Sequence, residues 1–100
     1  MDIPDKRMSR PALSSVVDFI AKGLDSDCPI AFLNLSNGKV SNLDRWHWVT
    51  IVGLETDQDN NHVSAQIFDG GKEFEIDLKL WYETTTLSGG FVFFEKPKNP

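Results

Sequence analysis

The sequence predicts an α+β fold in which one N-terminal helix packs on a mostly antiparallel sheet of about five strands. Three observations support this prediction. Apolar residues near the N-terminus recur at three- and four-residue steps, later segments alternate apolar and polar residues, and polar or glycine-rich turns separate those segments. A helix followed by a run of strands is typical of the α+β class.

The helix is expected over residues 12–24, because Pro11 suits a first helical turn and an apolar periodicity follows it. Five residues mark the buried face: Leu13, Val16, Val17, Ile20 and Leu24. Polar residues and Pro29 end the helix. Residues 30–35 are almost entirely apolar, so we expect this strand in the middle of the sheet.

The next two strands form a predicted hairpin around the polar tract 56–61. Residues 45–55 place a histidine between two tryptophans and then alternate apolar side chains, and residues 63–69 follow the tract. With Glu55 opposite Asn61, four pairs face each other: Gly53 with Val63, Ile51 with Ala65, Val49 with Ile67, and His47 with Asp69. Directly opposed side chains have Cβ atoms about 4.5–5.5 Å apart. The sequence therefore predicts a His47–Asp69 pair at the end of an apolar face.

Gly70-Gly71 is a strong signal for a tight hairpin to the following strand. Pairing Asp69 with Lys72 extends the apolar face by three pairs: Phe74 with Ile67, Ile76 with Ala65, and Leu78 with Val63. Residues 78–87 are ambiguous, and 78–82 are consistent with a short helical turn. The last strand is expected at residues 91–95, after Gly89-Gly90. Residues 36–44 form a polar loop with an Asn-Gly turn.

Length and composition limit the class of protein. One hundred residues with 40% hydrophobic content are enough for one domain. We expect it at residues 11–95, between a lead-in or linker at 1–10 and a tail at 96–100. The net charge of -5 argues against nucleic acid as a partner, and the chain lacks a signal peptide core or membrane span. We expect a peptide, protein or small-molecule partner and, by default, a cytoplasmic location.

One cysteine and two histidines exclude an internal disulfide and leave no metal-ligand cluster, so neither a metal nor a cofactor is expected. Cys28 follows the predicted helix and precedes Pro29. Because the C-terminal end of a helix disfavours a thiolate, Cys28 is a poor candidate for a nucleophile.

A carboxylate beside a histidine fixes the imidazole tautomer and stabilises its cationic form, which is the supporting half of a catalytic triad. The nucleophile is the other half. In the alternative interpretation, His47 and Asp69 are polar strand ends that solvate the hairpin. The spacing of the two residues does not decide between these interpretations.

The segment Trp46-His47-Trp48-Val49-Thr50-Ile51-Val52-Gly53-Leu54, followed by an Asp at a strand end and Gly-Gly, resembles papain-fold cysteine peptidases. The likeness is to the bacteriocin-processing-peptidase-like branch, which is widespread in bacteria. There a His opens a strand of the form HWVVVVG, an Asp or Asn ends the next strand, and the nucleophilic Cys lies upstream at a helix N-terminus. The likeness covers about residues 11–95, which match the C-terminal lobe.

This resemblance implies that His47 is the general base, that Asp69 orients it, and that Trp46 or Trp48 walls a substrate groove. Core packing is the alternative role for the tryptophans. No cysteine precedes the helix, so the nucleophile position of the family is absent from these residues.

Two functions remain open. In the first, the chain is the His/Asp-bearing lobe of a peptide or amide hydrolase whose nucleophile lies on a missing N-terminal lobe. In the second, it is a non-catalytic module that binds peptide or protein through the same sheet. Transglutaminase-like and amidase relatives share a similar layout. A lobe without its partner is expected to expose apolar surface on the helix (Leu13, Val17, Phe19, Ile20) or along a sheet edge, and so to self-associate.

Overall fold

The computed structural model describes residues 1–94 of the chain. In chain order, the elements are β1 (Asp2–Ile3), a short 3-10 helix (Arg7–Ser9), α1 (Leu13–Asp25), β2 (Ile30–Asn34), β3 (His47–Thr56), β4 (Val63–Asp69), β5 (Lys72–Asp77), α2 (Leu78–Thr84) and β6 (Gly89–Val92). The strands form one six-stranded antiparallel sheet in the order β1-β6-β2-β3-β4-β5. The predicted α+β class is confirmed, with one more strand and one more α-helix than expected.

Strand alternation gives the sheet a buried face and an open face. Phe32 and Phe91 pair across β2 and β6 on the buried face, and Trp81 of α2 packs edge-on against Phe32 with ring centroids 4.8 Å apart. Helix α1 lies on the same face, where its Phe19 contacts Phe93, two residues beyond Phe91. The hydrophobic core therefore lies between the sheet and the two helices.

Helix α1 forms where the periodicity predicted it, within one residue of the expected bounds at each end. It buries Val16, Val17, Ile20 and Gly23 against the sheet. The expectation that this helix exposes an apolar surface is therefore wrong for Val17 and Ile20. Leu13 and Phe19, which belong to the same predicted surface, are only partly buried, so self-association stays a prediction.

The predicted pairing of β3 with β4 is wrong by two residues, because Ile51 lies opposite Ile67 instead of Ala65. The connection is one residue longer than predicted, because six residues (57–62) separate the paired Thr56 and Val63 instead of the five between Glu55 and Asn61. The Asp57 carboxylate accepts hydrogen bonds from the backbone N–H groups of Asn61 and His62, so pairing begins at Thr56 with Val63. A bulge between Ile51 and Gly53 then reverses the side-chain alternation within β3.

The hairpin between β4 and β5 has the predicted register, with Asp69 opposite Lys72 and Ile67 opposite Phe74. Gly70 and Gly71 have φ values of 57° and 85°, which match the type I′ turn that favours tight hairpins. Pairing stops at Asp77, whose carboxylate accepts the Leu80 N–H and begins α2. The ambiguous stretch after residue 77 is thus helical, and Leu78 enters the core from a helix.

Residues 1–10, which were expected to be a lead-in or linker, form part of the folded domain. β1 pairs with β6, and Ile3 is fully buried. The polar loop also contributes to the core, since Val40 and Leu43 are buried. The last strand starts at Gly89 and ends at Val92, while Glu95 and the predicted tail at 96–100 lie outside the described residues.

Neither helix within residues 1–94 has the length and apolar content that crossing a bilayer requires.

Candidate functional site

His47 and Asp69 meet at one end of the sheet, as predicted, although they are not directly opposed. His47 opens β3 opposite Asn34, and Asp69 closes β4 next to Phe68, whose partner is Thr50. The two-residue shift keeps both side chains on the same face and makes them diagonal neighbours. Diagonal Cα atoms lie about 7–8 Å apart, which long side chains bridge. The imidazole and the carboxylate are therefore in contact.

The contact is a forked hydrogen bond. Nε2 of His47 lies 2.9 Å from Oδ1 and 3.0 Å from Oδ2 of Asp69. An ionised carboxylate only accepts hydrogen bonds, so Nε2 carries the proton that is donated. In the neutral imidazole this leaves the lone pair on Nδ1, which has no hydrogen-bond partner among residues 1–94. His47 thus presents a free basic nitrogen.

Solvent reaches the pair. The side chain of His47 is 43% exposed and that of Asp69 is 26% exposed. A group outside the chain can therefore approach Nδ1, while Asp69 is shielded enough to hold the ring from behind. A base that serves an external proton donor requires this combination of access and orientation.

A buried asparagine supports the same end of the sheet. Asn34 is fully buried; its Nδ2 donates to the Asp44 carbonyl at 2.6 Å, and its Oδ1 accepts from Trp81 Nε1 at 2.8 Å. Asp44 lies three residues before His47, so Asn34 anchors the backbone that leads into the site. Sequence reasoning missed this residue. Its only signal is a polar side chain in an otherwise apolar strand.

The two tryptophans have different surroundings. Trp46 precedes His47 directly, is 68% exposed, and has a φ of 56°, a conformation that bulky residues rarely adopt. Trp48 pairs with Leu33 on the open face, opposite to the face of His47. Neighbouring strand residues point to opposite faces, so the expectation that Trp48 walls the His47 site is corrected. Its exposure of 53% also excludes core packing.

Cys28 lies at the other end of the sheet. It is buried just before β2, whereas Asn34 at the far end of β2 is the partner of His47. Six residues of extended chain span roughly 20 Å, so Cys28 and His47 do not form a catalytic pair within one molecule. In the part of the chain that the structure describes, no three metal-ligating side chains converge.

Comparisons with models of protein families, with curated proteins and with solved structures gave no match. The site is therefore interpreted from its geometry. An imidazole held by a carboxylate through Nε2, with Nδ1 free, can accept a proton from a nucleophile and return it to a leaving group.

Proposed function

We propose that His47 and Asp69 are the general base and its orienting residue in a papain-like thiol hydrolase of peptide or amide bonds. The nucleophilic cysteine comes from outside these 100 residues. The observation that supports this most strongly is the forked Nε2 hydrogen bond to Asp69, which leaves Nδ1 available in a solvent-accessible position.

The proposed chemistry begins when Nδ1 of His47 accepts the proton of the incoming thiol. The thiolate attacks the carbonyl carbon of the substrate, and the resulting imidazolium donates its proton to the departing amine. Water then attacks the thioester, with His47 again accepting a proton, and the thiol is released with the acid product. Asp69 remains a carboxylate throughout and holds the ring in orientation.

The position of the pair favours this role over simple solvation of strand ends. His47 is paired with Asn34 of β2, and Asp69 is paired with Lys72 of β5, so strand pairing holds the backbone of each residue. Sites on such elements hold their geometry better than sites on loops. Trp46 adds an exposed aromatic surface beside the base, which suits contact with an apolar substrate side chain.

The test begins with the natural reading frame that encodes this chain. We expect upstream codons for a glutamine and for a cysteine that opens a helix. In the protein expressed from that frame, iodoacetamide should alkylate this cysteine rapidly near neutral pH. His47→Ala should slow the alkylation about 100-fold, a typical contribution of a positioned base.

His62→Ala is the matched control, since His62 lies exposed beside the β3–β4 turn. It should leave the alkylation rate unchanged. The free energy of unfolding of His47→Ala should also lie within about 1 kcal/mol of that of the parent protein, because partly exposed ion pairs contribute little to stability. An upstream frame without cysteine, or equal rates for both histidine variants, would overturn the proposal in favour of the non-catalytic binding module.

A further inference from the structure

The face of the sheet that carries no helix is apolar in its middle. Leu33 and Trp48 face each other across β2 and β3, and Thr50 faces Phe68 across β3 and β4. Val52 lies at the bulge on the same side. Trp48, Phe68 and Val52 are 53%, 47% and 41% exposed. Trp48 and Phe68 face away from both helices, whereas Val52 lies nearer the end of the sheet and lines a small pocket with Leu24, Cys28 and Pro29.

The size of this apolar area bears on which kind of partner could cover it. A Trp or Phe side chain presents about 150–250 Å² when it is buried completely, so the exposed parts of these three residues amount to roughly 300 Å². This lies at the lower end of the range of about 300–600 Å² that the largest apolar patch on a typical monomer covers, and such patches are often functional. A stable dimer buries about 800 Å² on each partner, which is more than this patch supplies. A small partner segment fits the area better than a second copy.

The charged side chains at open-face strand positions are all acidic. Carboxylates occupy the open-face positions on both flanks: Asp2 on β1, Glu55 on β3, and Glu73, Glu75 and Asp77 on β5. Among the strands of residues 1–94, Lys72 is the only lysine or arginine, and it pairs with Asp69 on the opposite face. Within the described residues, none of the flanking carboxylates forms a salt bridge.

The aromatic and acidic groups are close enough for one ligand to contact both. Phe68 lies directly opposite Glu73, and Gln66 lies opposite Glu75. Neighbouring strands are about 4.8 Å apart, so a carboxylate stands one strand away from the exposed phenyl ring. A partner helix that lies across the strands and packs an apolar residue on Phe68 has its next turn about 5.4 Å further along its axis, over β5.

We propose that this open face docks a segment of a partner protein that combines apolar side chains with lysine or arginine. The apolar side chains pack on Trp48, Phe68 and Val52, and the cations pair with Glu73 and Glu75. A second copy that stacks its own open face on this one brings only carboxylates and is repelled, as is an anionic membrane surface. The inference is independent of the proposed hydrolase, because His47 lies on the other face.

The test uses the amphipathic peptide LKKLLKLLKKLLKL, labelled with a fluorophore, and follows binding to the whole chain by fluorescence anisotropy at low salt. Saturable one-to-one binding is expected, with amide chemical-shift changes in a ¹⁵N-labelled chain concentrated on β3, β4 and β5. Phe68→Ser should weaken binding about tenfold, because it removes most of one aromatic contact. Met8→Ser changes a fully exposed residue outside the sheet and should have no effect.

A matched pair of double variants separates local charge from net charge. Glu73→Gln with Glu75→Gln should weaken binding about threefold or more. Asp18→Asn with Asp25→Asn changes the net charge equally on the exposed side of α1 and should leave binding within about twofold. Equal losses in both double variants would overturn the proposal. So would chemical-shift changes on the helices, or equal binding of the anionic peptide LEELLELLEELLEL.

Two further measurements exclude the other occupants. Sedimentation at increasing concentration should show a monomer, and a dimer that Phe68→Ser dissociates would replace the partner segment by a second copy. Vesicles of phosphatidylcholine and phosphatidylglycerol should not bind the chain, and binding that depends on Phe68 would instead assign the face to a lipid surface.

Discussion

Asn34 forms buried side-chain hydrogen bonds at the end of the sheet where His47 lies. It is one of two buried polar residues within residues 1–94, the other being Thr85. A buried amide is costly unless its donors and acceptors are used, and here Asp44 and Trp81 use both ends of it. The network links β2 and α2 to the loop that leads into the site. Asn34 therefore acts as a positioning residue for that loop.

Replacing Asn34 with alanine should destabilise the fold by about 2 kcal/mol, since the buried carbonyl of Asp44 loses its donor. Trp81 keeps a second acceptor, the Ser36 carbonyl, which limits the loss. Denaturant unfolding measures the change, and amide exchange should accelerate at residues 44–47. Asn42→Ala removes an exposed hydrogen bond to Glu75 and serves as the control. Equal small losses in both variants would show that the buried amide does not anchor the loop.

The sequence contained enough information to predict the contact between His47 and Asp69 but not its surroundings. Period-two alternation places both residues on one face whatever the register, provided that the shift is even. The same alternation places Trp48 on the other face, and the prediction that Trp48 walls a substrate groove beside His47 did not take this into account. Asn34 was missed because hydropathy patterns do not show which polar residue finds buried partners.

At the scale of elements, the two hairpins differ in how well local residues define them. Gly70-Gly71 permits positive φ at both turn positions, so the register of β4 with β5 follows from the turn itself. The longer polar tract before β4 permits several registers. The Asp57 side chain selects one of them by accepting two backbone N–H groups, and the bulge near Val52 adds a shift that alternation does not reveal.

Helix α1 and β2 approach closely at Gly23. A Cβ atom there would clash with the Ile30 side chain and lie 2.9 Å from Cδ1 of Phe93. Gly23→Ala should therefore destabilise the protein by about 1–2 kcal/mol through overpacking, although alanine favours helices. Thermal or denaturant unfolding tests this. Ser15→Ala, at an exposed position of the same helix, should be nearly neutral, and a more stable Gly23→Ala would contradict the close packing.

At the scale of the whole molecule, the N-terminal segment forms the edge strand β1 and pairs with the last strand, β6. The amino group of Met1 donates to the Phe91 carbonyl at 2.7 Å, and Ile3 is fully buried. The Arg10 guanidinium donates to the carbonyls of Pro4, Asp5, Tyr82 and Thr85. The first ten residues thus connect β6 and α2. This role was not predictable from a short polar segment with a single large aliphatic residue in its first five.

Ile3→Ala tests how much the N-terminal strand contributes to the stability of the fold. The substitution should cost about 2–5 kcal/mol, the usual range for removing a buried isoleucine side chain. Met8→Ala changes a fully exposed residue in the same segment and should stay within about 0.5 kcal/mol. Comparable unfolding midpoints for the two variants would show that the N-terminal strand is not part of the cooperative core.

The hydrogen bond from His47 Nε2 to Asp69 is the basis of the proposed chemistry, and ¹H–¹⁵N NMR of the imidazole measures it directly. In the neutral ring, the account predicts an Nε2–H proton whose exchange is slowed by its hydrogen bond, and this signal disappears in Asp69→Ala because the acceptor is lost. A proton on Nδ1 instead, or an Nε2–H signal that Asp69→Ala leaves unchanged, would contradict the account.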